Sequence, residues 1–155
     1  MQVKHIILAS HGTVGAVAAE NAALELAAEN AASLHHLLVV PDFWKGMMGD
    51  DWLNNAVTQI RFGQYVENQI ASETAEEIFR VENEAGARGI EYSHIITLGK
   101  PEICLIEACA EGEYDLAVIG APRPKGTAGF SSRMKLDPLL RALKTRLLII
   151  PYPET

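Results

Sequence analysis

Five short, almost uninterrupted aliphatic runs limit what this chain can fold into: "HIILAS", "HHLLVVP", "SHIITLG", "DLAVIG" and "RLLIIP". Each is bounded by turn-forming residues, and none alternates strictly between apolar and polar side chains. Such runs fit parallel strands covered on both faces, because a half-exposed strand would alternate. The segments between them carry helical spacing. "VGAVAAENAALELAAENAA" repeats Ala and Leu every three or four residues, behind Thr13 as its cap. From about Val57 to Ala87, Phe62, Val66, Ile70, Ile78 and Phe79 fall on one broad face, and Gly89 is placed to stop the helix. "PEICLIEACAEG" opens on Pro101 and ends before Gly112, and "DPLLRALKT" supplies a short last helix. The order βαβαβαβαβ predicts one α/β domain over residues 1–155, a doubly wound five-stranded parallel sheet with helices on both faces.

Ligands of such sheets bind beyond the carboxyl ends of the strands. Those ends are Ser10-His11-Gly12, Val40-Pro41-Asp42, Leu98-Gly99-Lys100 and Gly120-Ala121-Pro122. Charge narrows the ligand class. The chain has a net charge of −7, with eighteen acidic side chains against six Lys or Arg up to Ile119. From Gly120 onward seven basic residues face only Asp137 and Glu154. An acidic whole argues against nucleic-acid binding, which needs a basic face. One local basic segment remains, "GAPRPKGTAGFSSRMK" from Gly120 to Lys135. No apolar run approaches the ~20 residues of a membrane helix. "MQVKHIILASHG" lacks a small-residue cleavage site and reads as a buried strand rather than a signal peptide. Cys104 and Cys109 point ~140° apart on a helix, so they read as small buried hydrophobes of a reducing cytoplasm.

"ILASHGT", "LHHLLVVP", "LGKPEICLIEACAEGEYDLAVIGAP" and "RLLIIP" together resemble the universal stress protein (UspA-like) family along nearly the whole chain. Gly99-Lys100-Pro101 fills the family's Gly-x-Pro entry to a helix, and Tyr114 to Gly120 its Asp-Leu-aliphatic-aliphatic-Gly strand. The resemblance implies the strand order 3-2-1-4-5 and a cytoplasmic homodimer. In the ATP-binding branch it also implies a nucleotide pocket, mapping here to Ser10, His11, Gly12, Val40, Gly120, Arg123, Lys125, Gly126, Arg133 and Met134.

The loop departs from that branch's pattern of Gly, two residues, Gly, nine residues, then Gly with Ser or Thr. Counting from Gly120 places Arg123 at the second glycine and Arg133-Met134 at the Gly-Ser pair. Glycine lets the backbone approach a phosphate, so these changes remove the cradle. His11 stands where ATP-binding members carry Asp, and an imidazole cannot accept two hydrogen bonds as a carboxylate does. The expectation is therefore a binding or regulatory module that does not hold ATP in the family mode. Two alternatives stay open. One is a nucleotide or another small anion held by a re-registered basic loop of Arg123, Lys125, Gly126 and Arg133, with Thr127, Ser131 and Ser132 as hydroxyl donors. The other is a hydrolase or nucleotidyl transferase using His11.

His35 and His36 are adjacent on a strand and face opposite sides, while His5 and His94 read as core or edge histidines. No metal-ligand spacing, Walker loop or nucleophile elbow is present, so no catalytic or metal residue is assigned. "PDFWKGMMGDDWLNN" holds both tryptophans, and Phe43, Trp44 and Trp52 read equally as a lid, an interface or loop packing. Asp51 reads as a helix cap before any ion ligand. The last run, Leu147 to Pro151, is the expected dimer strand.

Overall fold

The computed structural model describes residues 2–10, 14–40, 75–121 and 135–153. Thr13, Asp50, Asp51, Phe62, Val66 and Ile70 lie outside them. Five strands, β1 (His5–Ser10), β2 (Ser33–Val40), β3 (Tyr92–Leu98), β4 (Leu116–Gly120) and β5 (Leu147–Ile150), form one parallel sheet in the order β3-β2-β1-β4-β5. Among the described residues four helices flank it: α1 (Val14–Asn30), α2 (75–87), α3 (Pro101–Glu111) and α4 (Leu136–Ala142).

Alternation along each strand divides the core in two. Ile6, Leu8, Leu34, Leu116 and Val118 face α1 and α2, whereas Ile7, Ala9, Leu37, Val39, Ala117 and Ile119 face α3 and α4. Helix α1 meets the sheet through Ala16, Ala19, Ala23, Leu24 and Ala27, all buried, at spacings of three, four and one. Small side chains on that stripe bring the helix close to the strands. Glu20 sits in the middle of the same stripe.

Both helices on this face end by the same device. After α2, Gly89 takes φ 70°, its N–H reaches the Gly86 carbonyl at 3.2 Å, and the Ile90 N–H reaches Ala85 at 2.8 Å. This is the expected glycine stop. After α1 the left-handed position is filled by Ala31, φ 52°, and the Ala32 N–H reaches Ala27 at 2.9 Å. A Cβ in that conformation is strained. Ala31→Gly should therefore stabilise the protein by about 0.5–1 kcal/mol, net of the chain entropy glycine loses. Urea midpoints of the two proteins measure this, and a lower midpoint for the variant contradicts it.

The start of β4 is tied to that of β1 by Asp115. Its carboxylate accepts the Lys4 and His5 N–H groups at 2.8 Å each, and its own N–H donates to the His5 carbonyl. Those two donors hold the Asp115 carboxyl below the ordinary carboxylate range.

Three expectations need correction. Phe79 is 67% exposed, because the inward stripe of α2 is Glu77, Ile78, Val81 and Ala85, and Phe79 lies on the other side. The strands are not all covered on both faces: Ile95 and Ile96 of β3 are exposed, since β3 is an edge strand and α1 and α3 pack over β2 and the strands beyond it. Cys104 and Cys109 are free, as expected, but only half-buried, at the margin of the α3 side of the core. No helix among the described residues is long and apolar enough to cross a membrane.

Candidate functional site

The strand order brings Ser10, Val40 and Gly120 to one edge of the sheet, at the ends of the adjacent strands β1, β2 and β4. The register that sets Leu8 opposite Val118 carries Ser10 and Gly120 to the same level. Of the other residues singled out in the sequence, His11, Gly12, Phe43, Trp44, Trp52, Arg123, Lys125, Gly126, Arg133 and Met134 lie outside the described residues.

Ser10 does not turn toward that edge. It is 3% exposed and points into a polar cluster beneath α1 and α2. Its hydroxyl lies 2.5 Å from Nε2 of His36 and 2.8 Å from Oε1 of Glu77. His36 Nδ1 in turn lies 2.8 Å from the Tyr92 hydroxyl. The sheet explains the line. His36 pairs with Leu8 and with His94, so Ser10 and Tyr92 each lie two residues along neighbouring strands on the same face. Tyr92, His36 and Ser10 form a diagonal across β3, β2 and β1, and the helices supply Glu20 and Glu77 above it.

Proton positions follow from what each group can donate. Ser10 O–H donates to Glu77, so Ser10 accepts the His36 Nε2–H, and His36 Nδ1 accepts the Tyr92 O–H. A nucleophilic serine needs the reverse, an imidazole lone pair turned to its hydroxyl and a carboxylate behind the ring. Here the carboxylate holds the serine directly. The ring stays neutral, its pKa lowered to about 4 by burial against the opposing pull of Glu77.

Glu20 and Glu77 meet in the same dry space, 0% and 7% exposed. Arg80 reaches Glu20 Oε2 at 2.7 Å, its own side chain 43% exposed. It forms an ion pair by distance, but neither Glu20 oxygen has an aligned hydrogen-bond donor. Two carboxylates can hydrogen-bond each other only if one carries a proton. Burial, then the neighbouring Glu77, push the Glu20 carboxyl up to about 9, against the pull of Arg80. Tyr92 is raised as well, chiefly by burial.

Sequence reading missed this cluster except for Ser10. Its one signal was Glu20, a carboxylate in phase with the alanines of α1. His35 and His36 do face opposite sides. His35 stacks on Tyr114 at 5.8 Å and meets the Ser93 hydroxyl at 2.8 Å, while His5 and His94 are exposed. Among the described residues, a concavity of about 470 Å³ between Cys109, Tyr114, Asp115, Lys144 and Arg146 opens at the opposite end of the sheet.

No family model and no curated protein matches the sequence. Solved structures do match the fold. The chain is similar to the universal stress protein UspA of Lactobacillus plantarum, at 17% identity and a TM-score of 0.72, covering 97% of this chain and 99% of that one. A protein of the universal stress protein family from Burkholderia pseudomallei matches at 21% identity and 0.67, covering 97% of each chain. A universal stress protein solved in complex with cAMP matches at 18% and 0.62, over 99% of this chain and 100% of that one. The five-stranded 3-2-1-4-5 sheet with its helices is thus the UspA-like fold of the universal stress proteins, shared along the whole chain.

Proposed function

We propose that this protein is a universal stress protein-like binding or regulatory module that does not hold ATP in the family's usual mode. The observation that carries this reading is Ser10. At the carboxyl end of β1 its hydroxyl is turned inward and occupied by His36 and Glu77. The residue after it is His11, not a carboxylate, and the loop after Gly120 has Arg123 and Arg133-Met134 where a phosphate cradle needs glycines and a hydroxyl. Calorimetric titration with ATP tests it. We expect no saturable binding tighter than about 10 μM, roughly −7 kcal/mol, and a tighter Kd overturns the proposal.

A second reading has one specific support, the similar structure solved with cAMP. An adenine nucleotide or another small anion would then be gripped by Arg123, Lys125 and Arg133 rather than by loop backbone. Titration with cAMP belongs in the same experiment. Binding that weakens with salt and disappears in Arg123→Ala, Arg133→Ala supports this reading, because exposed charges are screened beyond ~8 Å at physiological ionic strength. Binding unchanged in the double variant rejects it. The hydrolase alternative rests on His11, outside the described residues; Ser10 and His36 add no nucleophile and base to it, because His36 is engaged on both nitrogens.

A further inference from the structure

We propose that Glu20, His36 and Glu77 form a binding site for a first-row divalent transition-metal ion between the sheet and α1, separate from any ligand at the loop after Gly120. One ligand atom from each of the three lies within 4.8 Å of the others, and all three side chains are buried. Around an ion bonded at about 2.1 Å, ligand atoms sit about 3 Å apart when adjacent and about 4.2 Å when opposite, so small side-chain rotations close the set. Exposed acidic residues often cluster with no ion between them. These are not exposed: Glu20 is 0% exposed and neither of its oxygens has an aligned hydrogen-bond donor, although Arg80 stands close to one of them. Arg80 is the cation at Oε2, and Oε1 has no aligned donor, which leaves that buried oxygen a lone pair to offer an ion.

The donor set selects the ion. Two carboxylates with one imidazole suit Zn²⁺, Fe²⁺, Mn²⁺ or Co²⁺, whereas Mg²⁺ and Ca²⁺ prefer oxygen alone. His36 would present Nε2, the nitrogen on the Ser10 and Glu77 side. Its Nδ1–H would then donate to the Tyr92 hydroxyl 2.8 Å away, the outer hydrogen bond that fixes a ligating histidine. Ser10 Oγ, within hydrogen-bond distance of both His36 and Glu77, is placed to give a fourth ligand. Arg80 marks the way in: its side chain is 43% exposed, yet its guanidinium reaches Glu20. It competes with the ion for that carboxylate.

The test is titration of the full-length protein, stripped with chelator and desalted, with Zn²⁺ by calorimetry and with Co²⁺ by visible absorption. The expected result is one saturable site per chain, with Co²⁺ absorption bands of a low-symmetry oxygen and nitrogen environment. Glu20→Gln and Glu77→Gln, each close to isosteric, should weaken binding at least tenfold, as should His36→Asn. His94→Asn, which removes an exposed histidine, should leave it unchanged. Arg80→Met should tighten it, by removing the competing cation. Absence of saturable binding to the wild type overturns the proposal whatever the variants do. So does stoichiometric binding that survives both glutamate substitutions or that disappears in His94→Asn.

Discussion

Replacing Arg80 by methionine should lower the unfolding free energy by about 2–3 kcal/mol in the presence of chelator. The guanidinium is the cation nearest the buried Glu20 and Glu77 pair, 2.7 Å from Glu20 Oε2. Removing one partner of a buried ion pair typically costs about 3–5 kcal/mol, because the other charge is left in a dry interior. The lower figure applies here because Arg80 is 43% exposed and its charge is partly screened. Methionine keeps most of the stem packing, so the loss reports charge rather than volume. Glu77→Gln in the same background should restore most of the stability, since with Glu20 held protonated by burial and by Glu77 it removes the one charge that the carboxyl pair carries at neutral pH. Denaturant unfolding of the wild type, both single variants and the double variant gives the coupling directly. An Arg80→Met protein within 0.5 kcal/mol of wild type, or additive effects in the cycle, would show that the pair is not held as described.

Light scattering should find a dimer for the wild type and a folded monomer for Ile149→Lys. We propose that two copies join through β5. That strand is one end of the sheet, paired along one side to β4, and Leu147, Leu148, Ile149 and Ile150 are all only half-buried. An aliphatic edge strand with free backbone groups invites uncontrolled association. Antiparallel pairing with its own copy about a two-fold axis satisfies those groups and closes the assembly. Pro151 and Pro153 offer no N–H, which stops the ladder where the chain leaves the sheet. A lysine at 149 would place a charge in the seam. A monomeric wild type rejects dimerisation, and a variant that stays folded and dimeric moves the interface elsewhere, the tryptophan-rich segment of residues 41–55 being the alternative.

The fold was legible because its signals are local. Continuous runs such as "HIILAS" and "DLAVIG" mark strands buried in parallel sheets, and Pro101, Gly89 and Gly112 mark helix ends through backbone constraints that act within a few residues. The strand order came from resemblance to a family, and the register pairs bear it out. Hydrophobicity alone phases α2 wrongly at Phe79. Val81 and Ala85 set that phase, and they bring the carboxylate of Glu77 inward in preference to an aromatic ring.

The sequence by itself determined the number and type of the strands, the stops at Gly89 and Gly112, and the opposed faces of His35 and His36, since periodicity and backbone sterics need no distant partner. Only the tertiary structure decided that Ser10, Glu20, His36, Glu77, Arg80 and Tyr92 meet. These residues come from three strands and two helices, and Ser10 and Glu77 are 67 positions apart in the chain. A hydroxyl, an imidazole and two carboxylates carry no short-range pattern when each belongs to a different element. Their protonation and pairing depend on burial, which exists only once α1 and α2 have closed over the sheet.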